Sequence, residues 1–282
     1  MKTDYKNKEK SLISVIMGVY NPNVEYLMLA VKSIINQTVS DFEFIICDDG
    51  STVNKYIFKY IENMDDRIVL IENPVNKGLA YTLNHCIKIS NGKYIARQDA
   101  DDISEADRLE KQVRFLENNA DYAFVGSNIK YLSGEKIWGE YRLKKTPQKK
   151  DFVFRVPFMH ASVVYRADIF DDMDNRYRVA KETRRCEDYD LFMHLYSKDM
   201  LGYNIQDTLY IVREDNDSTK RRKLEFRIDE VKVRKIGFKK LGLLPAYSIY
   251  VLKPLIISII PAKFLNFLKD IVYKRRVEED ND

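Results

Sequence analysis

The chain has 282 residues, 45% of them hydrophobic and 32% charged, a composition that builds a globular core and excludes an intrinsically disordered chain. Its formal net charge of +4 is too small to imply a nucleic-acid partner, and none is expected. Three widely spaced cysteines, Cys47, Cys86 and Cys186, contain no C-x-x-C pair, which argues against a disulfide framework or zinc site and fits a reducing cytosol.

Ser14 to Val19 is a short continuous apolar run, the pattern of a strand buried on both faces of a parallel sheet. It is followed by Asn21-Pro22-Asn23 rather than by small residues suited to cleavage, so it is not expected to be a secretory signal. Tyr26, Ala30, Ile34 and Ile35 then recur at helical spacing. A second buried strand, Glu43 to Cys47, ends at Asp48-Asp49-Gly50-Ser51. Gly50 permits the turn there, and Ser51 is a candidate cap for a helix over about 54–63. A strand at Ile68 to Ile71 and a helix with Leu79, Leu83 and Ile87 follow. The strand Lys93 to Arg97 then runs into Asp99-Ala100-Asp101-Asp102. Ser104-Glu105-Ala106-Asp107 resembles a capping box, with Asp in place of Glu or Gln, opening a helix that carries Leu109, Val113 and Leu116.

Strands alternating with helices of this length predict an α/β fold, a doubly wound, mostly parallel sheet. Such sheets bind ligands at the carboxyl ends of their strands. Three polar clusters fall there: Tyr20-Asn21, Asp48 to Ser51, and Asp99-Ala100-Asp101. The second half is less regular. It has a strand from Tyr122, a Ser133-Gly134 turn and a returning strand, then Phe158 to Ser162 leading into a strand at Val163 to Arg166. A helix begins near Glu187-Asp188-Tyr189-Asp190, with Leu191, Phe192 and Leu195 facing inward.

Two carboxylates at i and i+2 leaving a strand, Asp99 and Asp101, can converge on one hard cation, Mg²⁺ or Mn²⁺. A cation there offsets charge developing on a diphosphate leaving group. The alternative is a solvated acidic loop, which the position after a buried strand disfavours. Asp48 and Asp49 either accept hydrogen bonds from a base or ribose or serve the turn alone. Glu187 and Asp188 either gain from the helix dipole or supply a general base, with the helix terminus lowering the pKa of that base. His85 and His194 read as ordinary helical residues. His160, before an apolar strand, is a candidate third metal ligand or phosphate contact. No G-x-G-x-x-G motif, P-loop or Ser-His-Asp arrangement is present.

In order and spacing, the segments Val15 to Asn21, Gln37-Thr38, Phe42 to Ser51, Asn76 to Ala80 with Asn84, Tyr94 to Ser104, Arg108 to Gln112, His160 to Ser162 and Glu187 to Leu191 resemble glycosyltransferase family 2, with its GT-A fold. Together they span about residues 12–215. The resemblance implies a nucleotide-sugar site, usually for a uridine nucleotide, made by Val19, Tyr20, Asn21, Asp48, Asp49, Lys77, Arg97, Asp99, Ala100 and Asp101. In it Asp101 ligates Mn²⁺ or Mg²⁺, Asp99 lies near the ribose and diphosphate, and Asp188 is the catalytic base of an inverting displacement. Two positions depart from the family pattern: Gln98 stands where an apolar residue often precedes D-x-D, and the segment after Tyr210 is more acidic than a phosphate-gripping loop.

The expected organisation is a GT-A domain at 1–219, with a nucleotide-binding half at about 12–120 and an acceptor half at about 121–219, followed by a tail at 220–282. From Lys220 to Lys240 the tail holds ten Lys/Arg against three Asp/Glu, and an apolar stretch to Pro261 follows. Lys263 to Lys274 places Phe264, Leu265, Leu268 and Val272 at helical spacing. Prolines and Lys253 interrupt the apolar stretch, so it fits a monotopic element on an anionic cytoplasmic leaflet better than a spanning helix. Its alternatives are packing on the catalytic domain or on a partner subunit, with which a homodimer is compatible. Enzymes of this resemblance often extend polyprenyl-diphosphate-linked oligosaccharides in capsule or O-antigen synthesis. That implies a cytoplasmic enzyme held peripherally on the inner face of the cell membrane. A sugar nucleotidyltransferase would need a Gly-rich loop after the first strand, where Gly18 to Asn23 offers little. A catalytically silent nucleotide-sugar-binding protein would have no need of Asp99, Asp101 and Asp188 together.

Overall fold

The structure, a computed structural model, describes residues 11–214 and 224–259. The amphipathic segment Lys263 to Lys274 and the expected 219/220 boundary lie outside them.

The first half alternates as the apolar pattern predicts: β1 (Ile13–Val19), α1 (Val24–Ile35), β2 (Phe42–Asp48), α2 (Tyr56–Glu62), β3 (Ile68–Glu72), α3 (Leu79–Ile89) and β4 (Tyr94–Arg97). After a two-residue β5 (Ile103–Ser104) come α4 (Arg108–Asn118), β6 (Tyr122–Ser133), β7 (Lys136–Tyr141), β8 (Val164–Arg166), α5 (Glu187–Ser197) and β9 (Leu201–Arg213). The tail contributes α6 (Leu224–Lys240), α7 (Ser248–Val251) and α8 (Lys253–Ile259).

The nine strands share one sheet, ordered β3-β2-β1-β4-β8-β6-β9-β5, with β7 paired to residues 129–133 of β6, beyond the stretch that β8 pairs. The four strands of the nucleotide half are parallel. The second half is mixed, because β8 enters antiparallel between β4 and β6 while the long β9 runs parallel to β6. Successive strand residues point to opposite faces, so β1 sends Ile16 to one layer and Val15 and Met17 to the other. The first layer packs α3, α5 and α6, through Leu83, Phe192 and Val233. The second packs α1, α2 and α4, through Leu27, Ile57 and Leu109.

Two capping expectations fail for a shared reason: the side chains have tertiary partners. Ser51 does not cap α2, whose N-cap is Lys55; its Oγ accepts the Asn21 N–H at 2.9 Å and so ties the ends of β1 and β2 together. Ser104 does not open α4 through a capping box. It lies in β5, its Oγ donates to Gln98 Oε1 at 2.7 Å, and the N-cap is Asp107, whose carboxylate pairs with Lys111 and makes no capping bond.

The described part of the tail packs on the catalytic layer. Val233, Phe238, Leu241, Leu243 and Val251 are buried in the same cluster as Phe192 of α5.

Candidate active site

β1 is flanked by β2 on one side and β4 on the other, so connections leave in opposite directions and a crevice opens at the carboxyl ends of these strands. At the end of β1, Val19 is buried and Tyr20 is 49% exposed. Asn21 takes a left-handed φ of 47°, a region Asn tolerates, and its Oδ1 accepts Thr52 N–H at 2.7 Å and Val53 N–H at 3.3 Å.

The two aspartates at the end of β2 are buried and organise the backbone. Asp48 Oδ1 accepts Ser51 N–H at 2.8 Å. Asp49 accepts Lys77 N–H at 2.9 Å, Gly78 N–H at 2.8 Å and the Asn73 amide at 2.8 Å, which folds the 73–78 loop over the crevice. Gly50, at φ 70°, sits so close to this loop that a Cβ would lie 2.5 Å from the Val75 carbonyl carbon. A cleft of about 320 Å³ results, with Val19, Tyr20, Asp49 and Lys77 on one wall and Thr183, Arg184 and Glu187 on the other. A larger cleft of about 760 Å³ lies at the amino end of β4, around Asn91 and Lys93, the end of a parallel sheet that ligands avoid.

Beyond β4, carboxylate oxygens of Asp99, Asp101 and Asp102 lie within 4.8 Å of one another. Asp101 is exposed, Asp99 and Ala100 are half-buried, and Asp102 is buried. Three hard oxygen donors so placed fit Mg²⁺ or Mn²⁺. Burial, then the charges of Asp99 and Asp101, push the Asp102 carboxyl well above the usual range, a strain a cation would relieve.

This turn is braced from beneath by Arg97 and Arg108, from the family-resembling segments, and by Tyr210 and Arg213, which lie outside them. Arg97 is fully buried and ion-paired to Asp99. Burial opposes its charge, but the Asp99 carboxylate beside it holds the proton on. The equally buried Arg108 donates to Arg97 O at 3.0 Å and lies over the Tyr210 ring. Asp99 N–H reaches Tyr210 Oη at 3.1 Å. Arg213 donates its N–H to Asp102 Oδ1 at 2.8 Å and its Nε to Asp101 O at 3.1 Å, with its guanidinium over Tyr26. Arg213 therefore supports the acidic turn.

His160 does not join the three carboxylates. It is buried, its Nε2 lies 2.7 Å from Tyr177 Oη, and burial with the nearby Arg97 charge pushes its pKa well down. His85 and His194 contact Asn73 and Lys240, in keeping with ordinary roles.

Glu187 and Asp188 open α5, both half-buried, and Glu187 lines the cleft. The helix terminus does not keep Asp188 low, as the sequence suggests: burial outweighs its bond from Tyr189 N–H at 2.7 Å and pushes its carboxyl up to about 6. Glu187 is driven further, to about 8, by burial and then by the Asp188 charge. Asp99 raises both, so the acidic turn and the α5 carboxylates sense one another electrostatically. Asp190 in the same run is structural, held by Arg178 at 2.9 Å and 3.0 Å. Behind α5, Arg234 of α6 donates to Val153 O at 3.1 Å and lies 5.0 Å over the Tyr189 ring.

The sequence model of glycosyl transferase family 2 matches residues 14–194. The putative glycosyltransferase EpsE of Bacillus subtilis is 39% identical over 256 residues, covering 90% of this chain and 91% of that one. UDP-Glc:alpha-D-GlcNAc-diphosphoundecaprenol beta-1,3-glucosyltransferase WfgD of Escherichia coli is 34% identical over 138 residues, 49% of this chain and 52% of WfgD. Among solved structures, S. aureus TarS (residues 1–349), in complex with UDP-GlcNAc, superposes with a TM-score of 0.67 at 16% identity, over 85% of this chain and 70% of that one. That likeness establishes a shared GT-A fold.

Proposed function

This chain belongs to glycosyl transferase family 2 and is a glycosyltransferase; from that premise we propose that it moves one sugar from a UDP-sugar to a saccharide carried on a polyprenyl diphosphate, with inversion at the anomeric carbon. The carrying observation is the carboxylate group Asp99, Asp101 and Asp102 at the crevice, electrostatically linked to Glu187 and Asp188. WfgD, by its name, uses UDP-Glc and a diphosphoundecaprenol-linked acceptor, and TarS holds UDP-GlcNAc.

In this reading Tyr20 offers its exposed ring to the nucleotide base, and Asp49 shapes the Lys77 loop against it. Asp99 and Asp101 hold Mn²⁺ or Mg²⁺, with Asp102 as the third oxygen donor. When bound, the cation offsets negative charge developing on the departing diphosphate. Arg97 does not touch the donor, since it is wholly buried; it fixes the Asp99 carboxylate.

Asp188 removes the proton from the acceptor hydroxyl as its oxygen attacks the anomeric carbon and the bond to the diphosphate breaks. Burial raises both carboxyls, and the Tyr189 N–H bond opposes that rise at Asp188, which keeps the larger ionised share of the pair near neutral pH. Asp188 is therefore the better base of the pair. A single displacement turns an α-linked donor into a β-linked product.

The tail holds the enzyme on the inner face of the cell membrane, where such an acceptor resides. Among the described residues no helix is long and apolar enough to cross a membrane. The test is transfer from labelled UDP-sugars to a polyprenyl-diphosphate-GlcNAc acceptor, with the product linkage read by NMR. A β-linked disaccharide supports the reading, and an α-linked product or transfer to acceptors lacking the diphosphate refutes it.

A further inference from the structure

Between Leu241 and Ile259 the chain carries one charged side chain, Lys253. Its Nζ is tied back to the Phe154 carbonyl, where burial pushes its pKa down. On the inner side, Leu241, Leu243 and Val251 are locked into the catalytic core cluster, and Tyr250 stands edge-on to Phe154 at 5.4 Å. On the outer side, Ile249, Leu252 and Ile256 are 69%, 48% and 53% exposed. Leu252 joins the two helices, its N–H donating to Ile249 O at 3.1 Å and its carbonyl accepting Ile256 N–H at 3.2 Å, so helical spacing carries across the junction and lines the three up as one ridge. The charge that interrupts this stretch in sequence is thus withdrawn in the fold, and the ridge is wholly aliphatic.

We propose that the ridge Ile249, Leu252 and Ile256 is the surface by which the enzyme seats itself on an anionic membrane. This rests on the lipid-linked acceptor proposed above. Charge selects the occupant. Exposed Lys235, Lys239 and Lys240 line the end of α6 just before the ridge, and no residue from Leu241 to Ile259 is acidic. Aliphatic side chains that enter the acyl boundary, flanked by basic residues that meet anionic headgroups, are what a monotopic contact requires. The ridge-bearing α8 packs on α6, whose Arg234 rests on Tyr189, the residue after Asp188.

The test is co-sedimentation of the full chain with vesicles of phosphatidylcholine alone or mixed with phosphatidylglycerol. The wild type binds the mixed vesicles at least tenfold more tightly. The I249D/L252D/I256D variant loses at least tenfold of that affinity, and the milder I249S/I256S variant an intermediate amount. Both keep the wild-type thermal midpoint and the wild-type rate of UDP-sugar hydrolysis without vesicles, a readout that tests the glycosyltransferase reading separately. Unchanged vesicle binding by the triple variant overturns the proposal. So does a dimer that dissociates on substitution while vesicle binding stays constant, which makes the ridge a subunit interface. A midpoint lowered by several degrees also overturns it, because the ridge is then covered by its own chain.

Discussion

Replacing Asp188 with Asn isolates the chemical step. The amide is isosteric, and its Oδ1 can still accept the Tyr189 N–H that reaches Asp188 at 2.7 Å, so the start of α5 keeps its geometry. The basic oxygen is what disappears. General-base assistance is worth about 10²- to 10⁴-fold, or about 3–5 kcal/mol of transition-state stabilisation at 1.36 kcal/mol per tenfold. We therefore expect kcat/KM for transfer to fall at least about 100-fold, while donor affinity, set at Tyr20 and the Asp99 turn, stays within about twofold. The pH profile adds a signature that a structural defect would not give. Because burial raises the Asp188 carboxyl to about 6, the base is ionised above that pH and neutralised as pH falls through it. Wild-type kcat/KM should drop tenfold per unit below pH 6, and the residual rate of D188N should lack that limb. Steady-state transfer across pH 5–8, with donor affinity by calorimetry, makes the measurement. Near-wild-type transfer by D188N, or an acid limb that survives the substitution, refutes the assignment and moves the base to Glu187.

Asp101→Ala removes one of three converging oxygen donors; donor affinity with Mn²⁺ should fall at least about tenfold by calorimetry, while the residual affinity with chelator stays unchanged. Arg108→Met leaves Arg97 O without its buried donor and should cost about 3 kcal/mol in urea unfolding, with an unchanged midpoint showing that the brace is dispensable. Gly50→Ala meets both a left-handed φ and the Val75 backbone at 2.5 Å. It should cost at least about 2 kcal/mol and weaken donor binding through the Lys77 loop, and normal stability would contradict the close approach.

What the sequence disclosed is what nearest neighbours along the chain encode. The buried strands read as unbroken apolar runs, and each of β1, β2 and β4 ends in polar residues that the sheet order brings to one crevice. The place of Glu187 and Asp188 at the start of α5 is legible because an acidic pair precedes a helical pattern. The supports were not legible: Tyr210 and Arg213 reach the turn from 111 positions away, and the burial of Arg97 and Arg108 is decided by the packed layers. Nothing local marks Tyr210 or Arg213 as partners of Asp99 to Asp102, or Arg108 as a buried charge. The helix-terminus argument for a low Asp188 pKa had the right element and the wrong dominant force, because burial is a property of the packed layers. Ser51 and Ser104 carried genuine cap chemistry that tertiary partners claimed first.

The central claim is a metal-dependent nucleotide-sugar site at the Asp99 turn. It is tested most directly by titrating the full chain with UDP-, GDP- and dTDP-sugars by calorimetry, in Mn²⁺ and again in chelator. The account predicts that a UDP-sugar binds in Mn²⁺, weakens at least about tenfold in chelator, and is slowly hydrolysed in the metal-loaded sample. Binding that is indifferent to the metal, or no binding of any of these donors, would contradict it.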